Sequence, residues 1–211
     1  MIGLWIVLGI IVLLGLGYVT SYNRFVRQRN LVHESWRQID VELTRRHDLI
    51  PNLVETVKGY AAHERTVLEE VTQARTAAVS AVGGASGPAA TAQAENTLVR
   101  SLGGLFAVAE NYPTLKADSN FLALQQQLAE TEDRIAAGRR FYNNNVRALN
   151  TRVEAFPSSI VAGMFHFTKA DYFEVEDPAV RAPVSVDFSS LNAPAAQPQT
   201  PQSPQTGQQP G

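Results

Sequence analysis

The chain has 211 residues, 45% of them hydrophobic, a formal net charge of −2 at pH 7 and no cysteine. This length suits one folded domain with accessory segments. The near-neutral charge gives no support for a nucleic-acid partner, and the lack of cysteine excludes disulfides and thiolate metal ligands.

The first element is an uncharged apolar run, Ile2–Thr20. About 20 apolar residues span a bilayer as a helix, so residues 1–21 are predicted to be a transmembrane anchor, with the lipid bilayer as its partner. A cleaved signal peptide is the alternative. It fits less well because no basic region precedes the run and no Ala-x-Ala cleavage site follows it.

Three arginines after the run predict its orientation. Arg24, Arg27 and Arg29 come before any acidic residue. The positive-inside rule places this side of the membrane in the cytoplasm, with the N-terminus outward. The same arginines are expected to attract anionic headgroups.

A long helix is predicted from residue 22 to residue 82, because apolar residues recur along it with a period of 3.5. They form two rows whose members are separated by seven residues or a multiple of seven: Phe25, Val32, Ile39, Leu53, Tyr60, Val67 and Ala74, and Trp36, Leu43, Ile50, Val57, Val71 and Ala78. Pro51 is the one strong breaker. Both rows keep their phase across it, so a kink is preferred to a full break.

Two further helices are predicted after the glycine-rich loop at residues 83–88. The first covers residues 89–111. The second covers residues 115–155, is capped by Thr114, and carries a third apolar row: Phe121, Leu128, Ile135, Tyr142, Leu149 and Phe156. These three long segments, or four if Pro51 breaks the first, can bury their apolar faces only against one another. Residues 22–156 are therefore predicted to form an all-α antiparallel bundle.

The C-terminal part is different in composition. Residues 157–190 are predicted to be extended or β-like, either as a small hairpin or as a strip packed on the bundle. Residues 191–211 are rich in Pro and Gln and are predicted to be disordered.

A short pattern, Tyr-Asn-x-x-Val-Arg-x-x-Asn, occurs twice. Its first copy supplies Tyr22, Asn23 and Asn30, and its second supplies Tyr142, Asn143 and Asn150. Amides on a helix–helix seam fix its register, which is the preferred interpretation. A role facing a ligand or lipid is the alternative.

Charged residues also collect on the first helix. The candidate polar cluster consists of Arg45, Arg46, Asp48, Asn52 and Glu55. Arg46 falls on an apolar row, so it needs an acidic partner when buried, and Glu132 or Asp133 is expected to supply it. Ordinary ion pairing is the preferred interpretation of the cluster, and a binding site is the alternative.

The sequence lacks the familiar catalytic and metal-binding motifs. It has four histidines, but no His-Glu-x-x-His and no Glu-x-x-His pattern. No catalytic residue, metal site or cofactor is predicted.

The run from Arg45 to Tyr60, followed by His63 and Glu64, resembles the central motif of the LemA family. Residues 36–40, 112–116 and 139–143 agree with the same family. The resemblance implies a bacterial membrane protein with a short N-terminal anchor, an antiparallel helical bundle and no established enzymatic activity.

Two functional hypotheses follow. The first is a non-enzymatic scaffold or organiser at the bacterial inner membrane that assembles as a homo-oligomer through any apolar row left uncovered. The second is an adaptor that recruits a membrane or envelope protein through the C-terminal strip or the Pro/Gln tail.

Overall fold

The computed structural model describes residues 2–84 and 87–174. Within this part of the chain the fold is all-α, as predicted, and contains no strand. It comprises α1 (Ile2–Tyr60), α2 (Arg65–Gly83), α3 (Gly87–Glu110), α4 (Pro113–Lys116), α5 (Ser119–Glu154) and α6 (Ser158–Met164). The predicted disordered tail, 191–211, lies outside the described residues.

Helix α1 joins the predicted anchor to the bundle without interruption. By length and composition it could cross a membrane, and its apolar N-terminal window has no buried residue. The helix continues through the exposed Pro51, so a break there is ruled out. At about 1.5 Å per residue its 59 residues extend for about 90 Å.

The predicted continuous helix over residues 22–82 is wrong in one respect. The chain leaves the helix at Ala61–Glu64, and α2 then runs back along α1, so that Arg75 Nε donates to the carbonyl oxygen of His47 at 2.7 Å. Ala61 is fully buried and anchors this turn. The reversal lets the apolar residues of α2 pack on those of α1, which a straight helix would leave uncovered.

The start of the last long helix also differs from the prediction. Thr114 does not cap it. The chain makes the short helix α4 and restarts at Asp118, whose side chain accepts hydrogen bonds from the backbone N–H groups of Asn120 and Phe121 at 2.9 Å each. These bonds satisfy two of the free donors at the N-terminus of α5.

The four long helices run alternately away from the apolar N-terminal end of α1 and back towards it. We call this end of the bundle the anchor end and the opposite end the distal end. Arg152 near the end of α5 lies over the ring of Phe25, whereas Glu132 in its middle reaches Arg46, so α5 is antiparallel to α1. The distal half contains all four long helices around one apolar core, which includes Ile50 and Leu105.

In the half nearer the anchor, different elements form the core. Its core is formed mainly by α1 and α5, with Ala92 from α3 and with Val161, Ala162 and Phe173 from the C-terminal part. The segment that completes it, residues 165–174, contains neither helix nor strand. We call it the strap.

The prediction of an extended segment from residue 157 is wrong for residues 158–164, which form α6. Residues 165–174 pack on the bundle without helix or strand, and residues 175–190 of the predicted segment lie outside the described residues. Phe156 and Pro157 separate α5 from α6, so the third apolar row ends at Leu149 and Phe156 is 81% exposed.

One glycine marks the closest approach of α1 to α5. A Cβ atom built on Gly138 would lie 3.1 Å from Ile39 Cγ1. Gly104 in α3, by contrast, has no atom within 4 Å of its built Cβ. Alanine variants at these two glycines therefore distinguish the effect of helix propensity from the effect of packing.

We expect Gly104→Ala to raise the free energy of unfolding by about 1 kcal/mol, the propensity difference between the two residues in a helix. Gly138→Ala should show no such gain, because Ile39 must move to admit the methyl group. Denaturant unfolding of the full-length protein in detergent, followed by circular dichroism, measures both. An equal gain for the two variants would contradict the close approach.

Candidate functional site

A buried charge cluster joins three helices in the middle of the bundle. Arg46 of α1 is 1% exposed and Glu95 of α3 is 0% exposed. Arg46 Nη2 pairs with Glu95 Oε2, and its Nη1 lies 2.6 Å from Glu132 Oε2 on α5. The other Glu95 oxygen, Oε1, lies 2.8 Å from His47 Nε2.

The cluster is a constraint on the relative position of the helices. A buried charge without a partner is very costly, so Arg46 and Glu95 must stay opposite each other. Since Glu132 is half exposed, it completes the cluster from the solvent side of α5. The contacts hold α1, α3 and α5 at one level, and the chemistry they support is structural ion pairing.

The predicted polar cluster does not form as a unit. Arg45, Asp48, Asn52 and Glu55 are all exposed, and Glu55 pairs with Lys58 at 3.1 Å on the surface. Of the five predicted residues only Arg46 is buried, because only Arg46 lies on an apolar row of α1.

Glu95 is the partner that sequence reasoning missed. Of the two acidic residues expected near Arg46, the structure supplies Glu132. Glu95 precedes Leu102 by seven residues and Leu98 by three, which places it on the apolar face of α3. A charged residue on an apolar helix face is the signal that could have identified Glu95. The same kind of signal identified Arg46 on α1.

No metal-binding chemistry emerges from the described ranges. Within them, no group of three or more His, Asp or Glu side chains is placed to hold a metal ion. His33, His63 and His166 are exposed, and His47 is engaged with Glu95.

Two asparagines of α5 hold the strap. Asn150 accepts from the backbone N–H of Ala170 and donates to its carbonyl oxygen, both at 2.9 Å. Asn143, two helical turns away, makes the same pair of bonds with Phe173, at 3.0 and 3.1 Å. Each amide therefore replaces the backbone partner that an extended segment would find in a sheet.

Aromatic side chains fill the space beneath the strap. Phe167 stacks on Phe25 with ring centroids 4.7 Å apart, and Phe173 meets Trp36 edge-on at 5.2 Å. Apolar burial therefore supplements the four amide hydrogen bonds.

A tyrosine adds a fifth polar contact to the strap. Tyr142 Oη donates to the carbonyl oxygen of Asp171 at 2.8 Å. Burial raises the pKa of the Tyr142 phenol to about 12, and the Asp171 carboxylate adds to this increase. The folded-state pKa lies above the ordinary value of 10.0. The stabilisation is thus complete below pH 10 and is lost as the pH rises through about 12.

In the repeated Tyr-Asn pattern, Tyr142 packs on Trp36 of α1 with ring centroids 5.4 Å apart, whereas the asparagines make no described side-chain hydrogen bond between the long helices. Its second copy (Tyr142, Asn143 and Asn150) binds the strap. In the first copy, Tyr22 packs on the ring of Phe165 with centroids 4.6 Å apart, whereas Asn23 and Asn30 are exposed. The second copy therefore contacts the strap at residues 170–173 through all three side chains. The first copy contacts it at Phe165, through Tyr22.

A cavity of about 370 Å³ remains between the strap and the helices. Arg29, His33, His166 and Lys169 contribute basic groups to its lining, and Asp171 an acidic one. Arg29 also lies 5.5 Å from the centroid of the Phe167 ring. All three predicted membrane-flanking arginines are exposed. Arg29 lines the cavity, whereas Arg24 and Arg27 do not.

Replacing Glu95 with Gln should destabilise the protein strongly. The change leaves the buried Arg46 charge without its fully buried counter-charge, which costs about 3 kcal/mol. Glu132→Gln is the matched control and should cost about 1 kcal/mol or less, because its side chain is 49% exposed. Denaturant unfolding in detergent compares the two, and equal losses would show that Glu95 does not dominate the cluster.

Replacing Asn143 or Asn150 with Ala should release the strap. Each substitution removes two hydrogen bonds, worth about 2 kcal/mol together. We expect faster amide hydrogen exchange over residues 165–174 with little change in α2 and α3. Asn144→Ala is the control, because Asn144 is exposed on the same helix. Unchanged exchange in the strap would mean that the aromatic contacts alone hold it.

Comparison with known proteins assigns the chain to a family. A model of the LemA family matches residues 35–188. Magnetosome protein MamQ 2 of Paramagnetospirillum magneticum is 28% identical over 185 residues, which cover 77% of this chain and 68% of that protein. Protein LemA of Metamycoplasma hominis is 24% identical over 174 residues, covering 82% and 77% of the two chains. The chain therefore belongs to the LemA family.

Proposed function

We propose that this protein is a membrane-anchored, non-enzymatic scaffold that organises other molecules at the bacterial inner membrane. The observation that carries the proposal is the continuity of α1. One helix contains both the exposed apolar stretch and the first long element of the bundle. A bundle attached in this way has a fixed height above the membrane, since no flexible linker separates the two parts.

The internal contacts support a scaffold rather than a protein that works by large movements of its helices. The Arg46–Glu95 pair sets the level of the helices, and the asparagine bonds to the strap close the end near the anchor. The alignments with Magnetosome protein MamQ 2 and Protein LemA cover 77% and 82% of this chain. The name of the first relative refers to the magnetosome, which supports a role at an organelle, and neither name refers to a reaction.

We place the bundle on the cytoplasmic side. Arg24, Arg27 and Arg29 are exposed just beyond the apolar stretch, where the positive-inside rule applies. Anionic headgroups attract such residues with about 1 kcal/mol each.

Self-association completes the proposed scaffold. The two apolar rows of the first half of the chain are largely buried within one molecule, so they do not supply the contact. The anchor itself is exposed, and Phe141 on α5 is a half-exposed aromatic residue of the bundle. Aromatic residues often dominate the energy of protein interfaces.

The mass of full-length protein in lipid nanodiscs tests the scaffold. We expect a uniform oligomer whose mass is constant over a wide concentration range, because a scaffold needs repeated contacts. Phe141→Ala should shift the distribution towards smaller species, whereas Leu122→Ala, at an equally exposed position near the start of α5, should leave it unchanged. A monomer at every concentration would overturn the proposal.

An adaptor is the second candidate, and the strap is the observation that favours it. Phe173, near the end of the described residues, is fixed to α5, and residues 175–211 follow it in the sequence. This segment would recruit a membrane or envelope protein, with Pro-rich stretches suited to aromatic grooves. Deleting residues 194–211 tests it by co-purification: loss of a partner supports the adaptor, and an unchanged set of partners excludes the tail.

A further inference from the structure

An apolar surface lies at the anchor end of the bundle, beside the point where the spanning stretch of α1 ends. Its members are large side chains left exposed by α6 and its flanks: Phe156 at 81%, Ile160 at 56%, Met164 at 60% and Phe165 at 42%. We call them the α6 face. Soluble proteins rarely leave such side chains clustered without a partner.

The spacing of these residues follows from the helix. Ile160 and Met164 are four residues apart, which places them on one side of α6, and Phe156 lies in the turn just before this helix. Val161 and Ala162, on the opposite side, are 6% and 3% exposed and belong to the core near the anchor. Helix α6 therefore has apolar side chains on two sides, and the bundle covers only one of them.

Contacts with α1 fix the height of this face. Tyr18 Oη lies 3.8 Å from Met164 Sδ, and the Tyr18 ring is 5.7 Å from that of Phe165. Tyr18 is in the last turn of the uncharged run, Ile2–Thr20. That run is about 28 Å long as a helix, close to the thickness of about 30 Å of a bilayer core. Met164 and Phe165 therefore lie at the membrane boundary if the run spans it.

The end of α5 gives the same height independently. Arg152 lies 5.9 Å from the centroid of the Phe25 ring. Since α5 runs towards the anchor and ends at Glu154, Phe156 follows the end of α5 that is nearest the anchor.

The charge pattern agrees with contact with lipid. Residues 156–168 contain no Asp, Glu, Lys or Arg. Charged groups return at Lys169, which pairs with Glu154, and on α1 at Arg24. Tyrosine side chains, such as Tyr18 and Tyr22 here, are favoured at the level of the headgroups.

We propose that the α6 face is a second membrane contact, in which Phe156, Ile160, Met164 and Phe165 enter the interfacial layer of the same bilayer that α1 spans. The occupant is lipid rather than another protein, because the face is continuous with the apolar surface of the anchor and lies at its boundary. The proposal rests on the membrane insertion of α1 assumed in the proposed function. It adds that α6 and its flanking residues also touch the membrane, so that the bundle is held at two points and cannot swing about α1.

Site-directed spin labelling tests the proposal directly, and the absence of native cysteine makes single labels simple to place. Ile160→Cys and Met164→Cys report on the α6 face. Leu13→Cys reports on the anchor, and Val41→Cys, 65% exposed in the soluble part of α1, reports on water. Each full-length variant is placed in nanodiscs of phosphatidylcholine and phosphatidylglycerol. Oxygen, which concentrates in lipid, and a nickel chelate, which stays in water, serve as relaxing agents.

We expect the labels at residues 160 and 164 to be relaxed more by oxygen than by the nickel chelate, at a shallower depth than the label at residue 13. The label at residue 41 should show the opposite preference. If the labels at residues 160 and 164 behave like that at residue 41 while residue 13 is in lipid, the second contact is wrong and the anchor stands. If residue 13 is also in water, the anchor and the proposed function fail with it. Protection of residues 160 and 164 from both agents would mean that a protein surface covers the face, and would overturn the proposal as well.

Discussion

The length of α1 is the constraint on which the rest of the structure depends. Its soluble part carries two apolar rows that must be covered from the anchor to Tyr60. Helix α5 covers one side over most of this distance. The α2–α3 pair covers the distal part, and α6 with the strap covers the part near the anchor. The change of partner along α1 explains why the molecule needs a non-helical segment at one end.

Polar groups define where these partners sit, while apolar burial supplies most of the stabilisation. The Arg46–Glu95 pair lies within the four-helix part and allows only one level of α3 against α1. Asn143 and Asn150 do the same for the strap, because an amide that bonds both backbone groups of one residue leaves no freedom of register. Apolar side chains alone would tolerate a shift of either element with a smaller loss.

These features give the protein two different ends. The distal end is closed by the turn at Ala61–Glu64 and by α4, and Tyr112 Oη donates to Glu64 Oε1 there at 3.3 Å. The anchor end collects aromatic residues from α1, α6 and the strap. Membership of the LemA family and the exposed apolar start of α1 associate this second end with a membrane.

The sequence by itself determined the helical class, the apolar anchor run and the core face of each long helix, because a 3.5-residue period identifies buried positions without any knowledge of the partner. It also marked Arg46 as a buried charge. Only the tertiary structure decided the turn at Ala61–Glu64, since the apolar rows keep their phase across it and local propensity does not forbid a helix there. The same holds for Glu95 as the partner of Arg46, for the helical α6, and for the strap on Asn143 and Asn150. Each depends on contacts between residues far apart in the chain, and a periodic pattern shows which side is buried but not what buries it.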